Sequence, residues 1–148
     1  MMFYGQHTIH VSDKKTISLP DQFIEELQSN IFITQGFESN LIIMPENVFL
    51  DLYQSASTMN ITSPLARLFL RHFLANAAFV PQGEIDHIQI SCHLYEYAGL
   101  PKEEAAVLVG QGNHIEIWGQ KKWQEQNLKL QDSTENAHRF AALDIRTN

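Results

Sequence analysis

The chain reads as two copies of one unit, and that duplication limits its possible folds more than any other feature. Strand, polar turn, strand, short helix, strand, glycine turn, strand, helix runs from "HTIHVSDKKTISLP" through "ENVFLDLYQ", and again from "AFVPQGEIDHIQIS" through "GQKKWQEQ". Ile17 and Leu19 fall on Ile88 and Ile90 at an offset of 71. Leu41, Ile43, Met44 and Phe49 fall on Ile115, Ile117, Trp118 and Trp123 at an offset of 74, the difference being absorbed by the longer "AGLPKEE" connection. A unit of about 50 residues buries too little apolar surface to fold alone, so the two are expected to interlock. The expected organisation is one domain over residues 1–148, with repeats at about 2–58 and 75–126, a joining helix at about 63–76, and a tail at 127–148.

Local signals fill in the elements. Ile9 and Val11, then Ile17 and Leu19, alternate across a polar turn, the period of a half-buried hairpin, and "AFVPQGEIDHIQIS" reads the same way. Asp21 is expected to cap "DQFIEEL". "NIFITQGFESNLIIMP" and "AAVLVGQGNHIEIW" read as two further hairpins, with Gly36 supplying an unusual φ in the first. Ser63-Pro64 opens a helix that is expected to pack Leu65, Leu68, Phe69, Phe73 and Leu74, with Arg67 and Arg71 sharing one face. Those arginines are expected to pair with the acids of residues 21–60 across a helix packing or a subunit interface rather than to contact DNA. Phe37, Phe49, Trp118 and Trp123 are assigned to the core or to subunit contacts. Gly99 closes "HLYEYAGL", and the tail is expected to hold one short helix near Glu135–Leu143 before fraying.

Composition narrows the function. With 44% hydrophobic residues the chain can supply a core, and no apolar run approaches the roughly 18 residues that span a bilayer. The start "MMFYGQHTIH" has neither the basic nor the apolar segment of a signal peptide, and the single Cys92 suits a reducing cytoplasm. A net charge of −7 excludes a uniformly cationic nucleic-acid binder, but the charge is uneven. Residues 21–60 carry six acids and no Lys or Arg, residues 61–80 carry Arg67 and Arg71 and no acid, and Lys14 and Lys15 sit in the first turn. The seven histidines show no helical ligand spacing, Cys92-His93 is mere adjacency, and no phosphate-binding glycine loop or nucleophile elbow occurs. The chain reads as a binder, with no enzymatic activity, cofactor, metal or small-molecule substrate expected.

Five stretches, "MFYGQHTI…ISLP", "ITQGFESNLIIMP", "RHFLANAAFV", "YAGLPKE" and "VLVGQGNHIEIW", resemble the MraZ family of bacterial regulators within the AbrB-like swapped-hairpin superfamily. They fall in order over Met2 to Trp123. The resemblance implies an α+β fold: a double swapped-hairpin β-barrel built from two internal repeats with short flanking helices. It also implies a homo-oligomeric ring that binds short direct repeats upstream of a cell-division and cell-wall operon, in the cytoplasm at the nucleoid.

The family carries an acid-x-x-x-Arg motif on each hairpin tip as its DNA-contacting element, and this sequence departs from it twice. In the first tip the acid's place falls on Ser12 and the arginine's on Thr16, with Lys14 and Lys15 between. In the second the places fall on Gly83 and His87, with Glu84 and Asp86 between. Lys14, Lys15, Thr16 and His87 are therefore the candidate DNA contacts. A threonine cannot reproduce the bidentate fork of an arginine, and a histidine of ordinary pKa is mostly neutral at pH 7. The competing expectation is an oligomeric scaffold or protein-interaction module that no longer reads DNA. An antitoxin-like dimer is disfavoured, because such chains normally hold one hairpin repeat and a long partner-binding tail.

Overall fold

Side-chain alternation along four strands sets up two packed layers. The computed structural model describes residues 1–100 and 105–145. In β3 (Ile31–Gln35), β4 (Leu41–Pro45), β7 (Ala105–Gly110) and β8 (Ile115–Gly119), Ile31, Ile33, Leu41, Ile43, Ala106, Leu108, Ile115 and Ile117 face one core. Ile42, Met44, Val107, Val109 and Trp118 face the other side. A sheet covered on both faces has no polar side, which is why every residue of β4 is buried.

The strand β1 (Gln6–His10) joins one edge of the sheet and β5 (Ala78–Val80) the other, giving the order β1-β7-β8-β4-β3-β5, antiparallel throughout. Exchanging β1, β7 and β8 for β5, β3 and β4 leaves that order unchanged. At the centre, Leu41, Ile42 and Ile43 lie opposite Ile117, Glu116 and Ile115. A separate ribbon pairs β2 (Thr16–Ile17) with β6 (Ile88–Gln89), setting Ile17 opposite Ile88.

The ribbon lays Ile17, Leu19, Ile88 and Ile90 on the first core, together with Phe23 from α1 (Asp21–Glu26) and Leu94 from α4 (Cys92–Tyr97). The opposite face is covered by α2 (Glu46–Ser57) and α3 (Pro64–Phe73), where Phe32 stacks on Phe49 at 3.9 Å and Phe49 on Phe73 at 4.9 Å. Thr34 is fully buried there and donates its hydroxyl to the Phe73 carbonyl at 2.8 Å. On the same side α5 (Gln120–Leu130) sets Trp123 against Trp118. The last helix, α6 (Ser133–Ala141), is capped by Asp132 and buries no residue.

Several expectations are corrected. Neither tip is a local hairpin: β1 pairs with β7, β5 with β3, and the two inner strands pair with each other. Alternation fixes the face a strand presents but not its partner, and these partners bury Ile17 and Ile88 together. No closed barrel forms among the described residues, since β1 and β5 each have one strand neighbour. Asp21 is the first residue of α1 rather than its cap; Pro20 stands at the cap and its carbonyl accepts from Phe23 and Ile24. Gly36 does not take the left-handed conformation, which falls on Ser39 (φ 57°). At 36 a Cβ would press on the buried Asn40 side chain, which would have to shift.

Ser63 caps α3 as expected, but the helix stops at Phe73, where the Asn76 amide takes the Arg71 and His72 carbonyls. Leu65 and Leu68 are not packed; they are 74% and 61% exposed. The 101–104 part of the connection assigned the offset difference lies outside the described residues, as does 146–148, at the end expected to fray. No described helix is long and apolar enough to cross a membrane.

Candidate nucleic-acid interface

The first tip is a turn built by Ser12. Its carbonyl accepts from Lys15 N–H at 2.9 Å, its N–H donates to the Thr16 carbonyl at 3.1 Å, and its hydroxyl accepts from Thr16 N–H at 3.1 Å. Closing the turn so tightly puts Lys15 at φ 59°, the left-handed region that ordinary side chains rarely adopt. Asp13 and Lys14 are exposed at its apex, and among the described residues no side-chain partner for Lys14 is found. Ser12 therefore holds the turn through its hydroxyl as well as its backbone.

Lys15 is anchored by the neighbouring ribbon end. Its carbonyl accepts from Ile90 N–H at 2.9 Å, its ammonium reaches Cys92 Sγ at 3.1 Å, and the same nitrogen lies 5.4 Å from the centre of the Tyr95 ring. The contact with Cys92 raises the Lys15 pKa, which desolvation opposes, and a lysine is in any case charged across the physiological range. Burial raises the Tyr95 phenol, opposed by the Lys15 charge. A cleft of about 650 Å³ lined by Asp13, Lys14, Lys15, Gln89, Ile90, Ser91 and Cys92 runs beside the turn. Cys92 and Tyr95 were not expected here, since their placement follows from the pairing of β2 with β6.

The second tip differs in form and charge. A single turn of 3₁₀ helix, Gln82–Glu84, carries the chain into Ile85, which is buried, and His87 N–H donates to the Glu84 carbonyl at 3.1 Å. Glu84, Asp86 and His87 are all exposed. Because β2 and β6 are antiparallel, His87 enters the ribbon at the end opposite Lys15. The structure thus brings Lys14, Lys15 and Thr16 together and sets His87 apart.

Within the chain, and among the described residues, neither arginine of α3 meets an acid of residues 21–60. Arg67 donates to the Ile61 and Thr62 carbonyls, both at 3.0 Å, tying down the loop before its own helix. Arg71 is exposed, and the described ion pairs join neither arginine to an acid. Phe49, Trp118 and Trp123 are buried as expected, whereas Phe37 is 64% exposed and stacks on His72 at 5.3 Å. The Gly36 carbonyl accepts from His72 Nε2 and from the Tyr97 hydroxyl, both at 2.7 Å, linking α3 and α4 to one turn. Among the described residues no cluster of His, Cys, Asp or Glu could hold a metal ion.

Comparison with known proteins bears on this site. The model of the family described as MraZ protein, of antitoxin-like character, matches residues 2–72 and 87–144, leaving most of the second tip unmatched. The chain is 34% identical over 144 residues to the transcriptional regulator MraZ of Corynebacterium kroppenstedtii, covering 97% of this chain and 99% of that one. It is 33% identical over 122 residues to the transcriptional regulator MraZ of Carboxydothermus hydrogenoformans, covering 82% and 84%. Against the transcriptional regulator MraZ of Clostridium acetobutylicum it is 30% identical over 144 residues, covering 97% and 100%.

Proposed function

The chain belongs to the MraZ family, and from that premise we propose that it is a DNA-binding transcriptional regulator whose reading element is the turn at Ser12–Thr16. The observation that carries this reading is the pair of ammonium groups there: Lys14 exposed at the apex, and Lys15 beside it against Cys92. Lysines at a protruding turn meet phosphates as point charges, giving affinity and salt sensitivity. Thr16 adds a hydrogen bond. His87 is the candidate contact at the second tip, where Glu84 and Asp86 repel phosphate.

One weak tip per subunit calls for avidity. A homo-oligomeric ring presents several tips to evenly spaced short direct repeats, and each contact after the first forms at high effective concentration. The DNA in this reading lies upstream of a cell-division and cell-wall operon, and the protein works in the cytoplasm at the nucleoid. The architecture proposed beneath it is a double swapped hairpin from two interlocked repeats, supported by the pairing of β2 with β6 and by the symmetric strand order.

A second reading, an oligomeric scaffold that no longer reads DNA, is favoured by one observation: the second tip is exposed and acidic. Fluorescence anisotropy at about 50 mM salt, where phosphate attraction is strong, separates the two. The regulator binds a repeat-containing duplex better than a scrambled one, and Lys14→Glu/Lys15→Glu abolishes the preference. Absence of binding to either duplex overturns the regulator reading.

A further inference from the structure

The layer opposite the ribbon exposes an apolar stripe and an acid-rimmed groove. The first is the outer stripe of α3. Leu65 and Leu68, three residues apart, are 74% and 61% exposed, Ile61 just ahead of them is 71% exposed, and Arg71 continues the stripe one turn on. This helix is already packed through Ala66 and Phe73, so the leucines are a second apolar face. The second surface is a groove of about 550 Å³ between α2 and the sheet. Its floor includes Ile42, Met44 and Leu52, and its rim carries Glu38, Asp51 and Glu116. Asn40 and the Trp118 indole donate to Glu116, and the described ion pairs give none of the three acids a cation.

We propose that α3 of one copy docks in the groove of the next, leucines on the floor and arginines against the acidic rim. Charge identifies the occupant as a second copy. Residues 21–60, which supply most of the groove, hold six acids and no Lys or Arg, while residues 61–80 hold Arg67 and Arg71 and no acid. Donor and acceptor faces differ, so the contact is head-to-tail and propagates until it closes on itself. Both faces lie on the side of the sheet away from the ribbon, so assembly leaves every Ser12–Thr16 turn free. This inference rests on the oligomeric reading above and assigns its interface.

The test uses two surface variants of the full chain, each checked for folding by circular dichroism. Leu65→Ser/Leu68→Ser strips the helix stripe but keeps the groove; Glu38→Arg/Asp51→Arg makes the groove rim cationic but keeps the helix. Analytical ultracentrifugation is expected to give the wild type a mass several times the 17.0 kDa chain and each variant the mass of one chain. An equimolar mixture is expected to form a complex of two chains and no larger, because only one intact helix and one intact groove remain. A single-chain wild type overturns this inference and the ring together. An assembled wild type with either variant at full mass overturns the interface alone, and single-chain variants that do not pair overturn its head-to-tail polarity.

Discussion

The pairing of β2 with β6 can be tested by a covalent bond. Ile90 N–H donates to the Lys15 carbonyl, and Thr16 lies opposite Gln89 in the next pair along. Hydrogen-bonded and non-hydrogen-bonded pairs alternate in an antiparallel ladder, so Thr16 and Gln89 form a non-bonded pair with Cα atoms about 4.5 Å apart. That falls within the roughly 4.4–6.8 Å that a disulfide spans. Thr16→Cys/Gln89→Cys, with Cys92→Ser to remove the native thiol, closes a loop of about 73 residues. The chain-entropy relation then gives about 4 kcal/mol of stabilisation. For a domain of this size that is a rise of roughly 10–15 °C in Tm. The assay is thermal circular dichroism of the oxidised protein with and without reductant, beside non-reducing electrophoresis. A local hairpin at either tip would hold residues 16 and 89 apart. Equal Tm in the two states, or a crosslink found only between chains, refutes the pairing.

Thr34→Val leaves the buried Phe73 carbonyl without its 2.8 Å donor and is expected to lower stability by about 1–3 kcal/mol in urea denaturation. Gly110→Ala drives a Cβ into the Phe3–Tyr4 backbone and is expected to lower Tm markedly, because backbone cannot yield as a side-chain tip can. Burial lowers the His114 pKa, opposed by Glu116, so the folded chain protonates there at lower pH than the unfolded one. Stability is therefore expected to fall as pH drops below about 6.5, and a pH series of urea melts on His114→Asn is expected to lose that component. His87→Arg adds a cation at an exposed position of the second tip and is expected to steepen the log–log salt dependence of DNA binding by about 0.9 per engaged tip.

What the sequence disclosed divides along physical lines. The faces of the strands were legible, because burial imposes period two: Leu41 and Ile43 share one core and Ile42 and Met44 the other. The caps at Ser63 and Gly99 were legible because they depend on neighbours in the chain. Strand partners were not, since "HTIH" and "TISL" alternate alike whether they pair with each other or with distant strands. The Lys15–Cys92 contact was missed for that reason, although continuing an Ile17–Ile88 register would have brought the two close. Leu65 and Leu68 have the spacing of core residues, and only the structure shows that α3 packs by another face. At the candidate interface the sequence named the lysines, while the structure tells their surroundings apart: Lys14 is exposed and Lys15 is tethered to Cys92.

The central claim is that the lysines of the first tip touch phosphate, and the salt dependence of binding measures it most directly. Each phosphate neutralised contributes about −0.9 to the slope of log K against log salt. Wild type and Lys14→Ala/Lys15→Ala are titrated on one repeat-containing duplex from about 50 to 200 mM salt, the range over which such contacts separate clearly. Loss of both lysines is predicted to flatten the slope by about 1.8 per engaged subunit. An unchanged slope, with binding intact, would contradict the account.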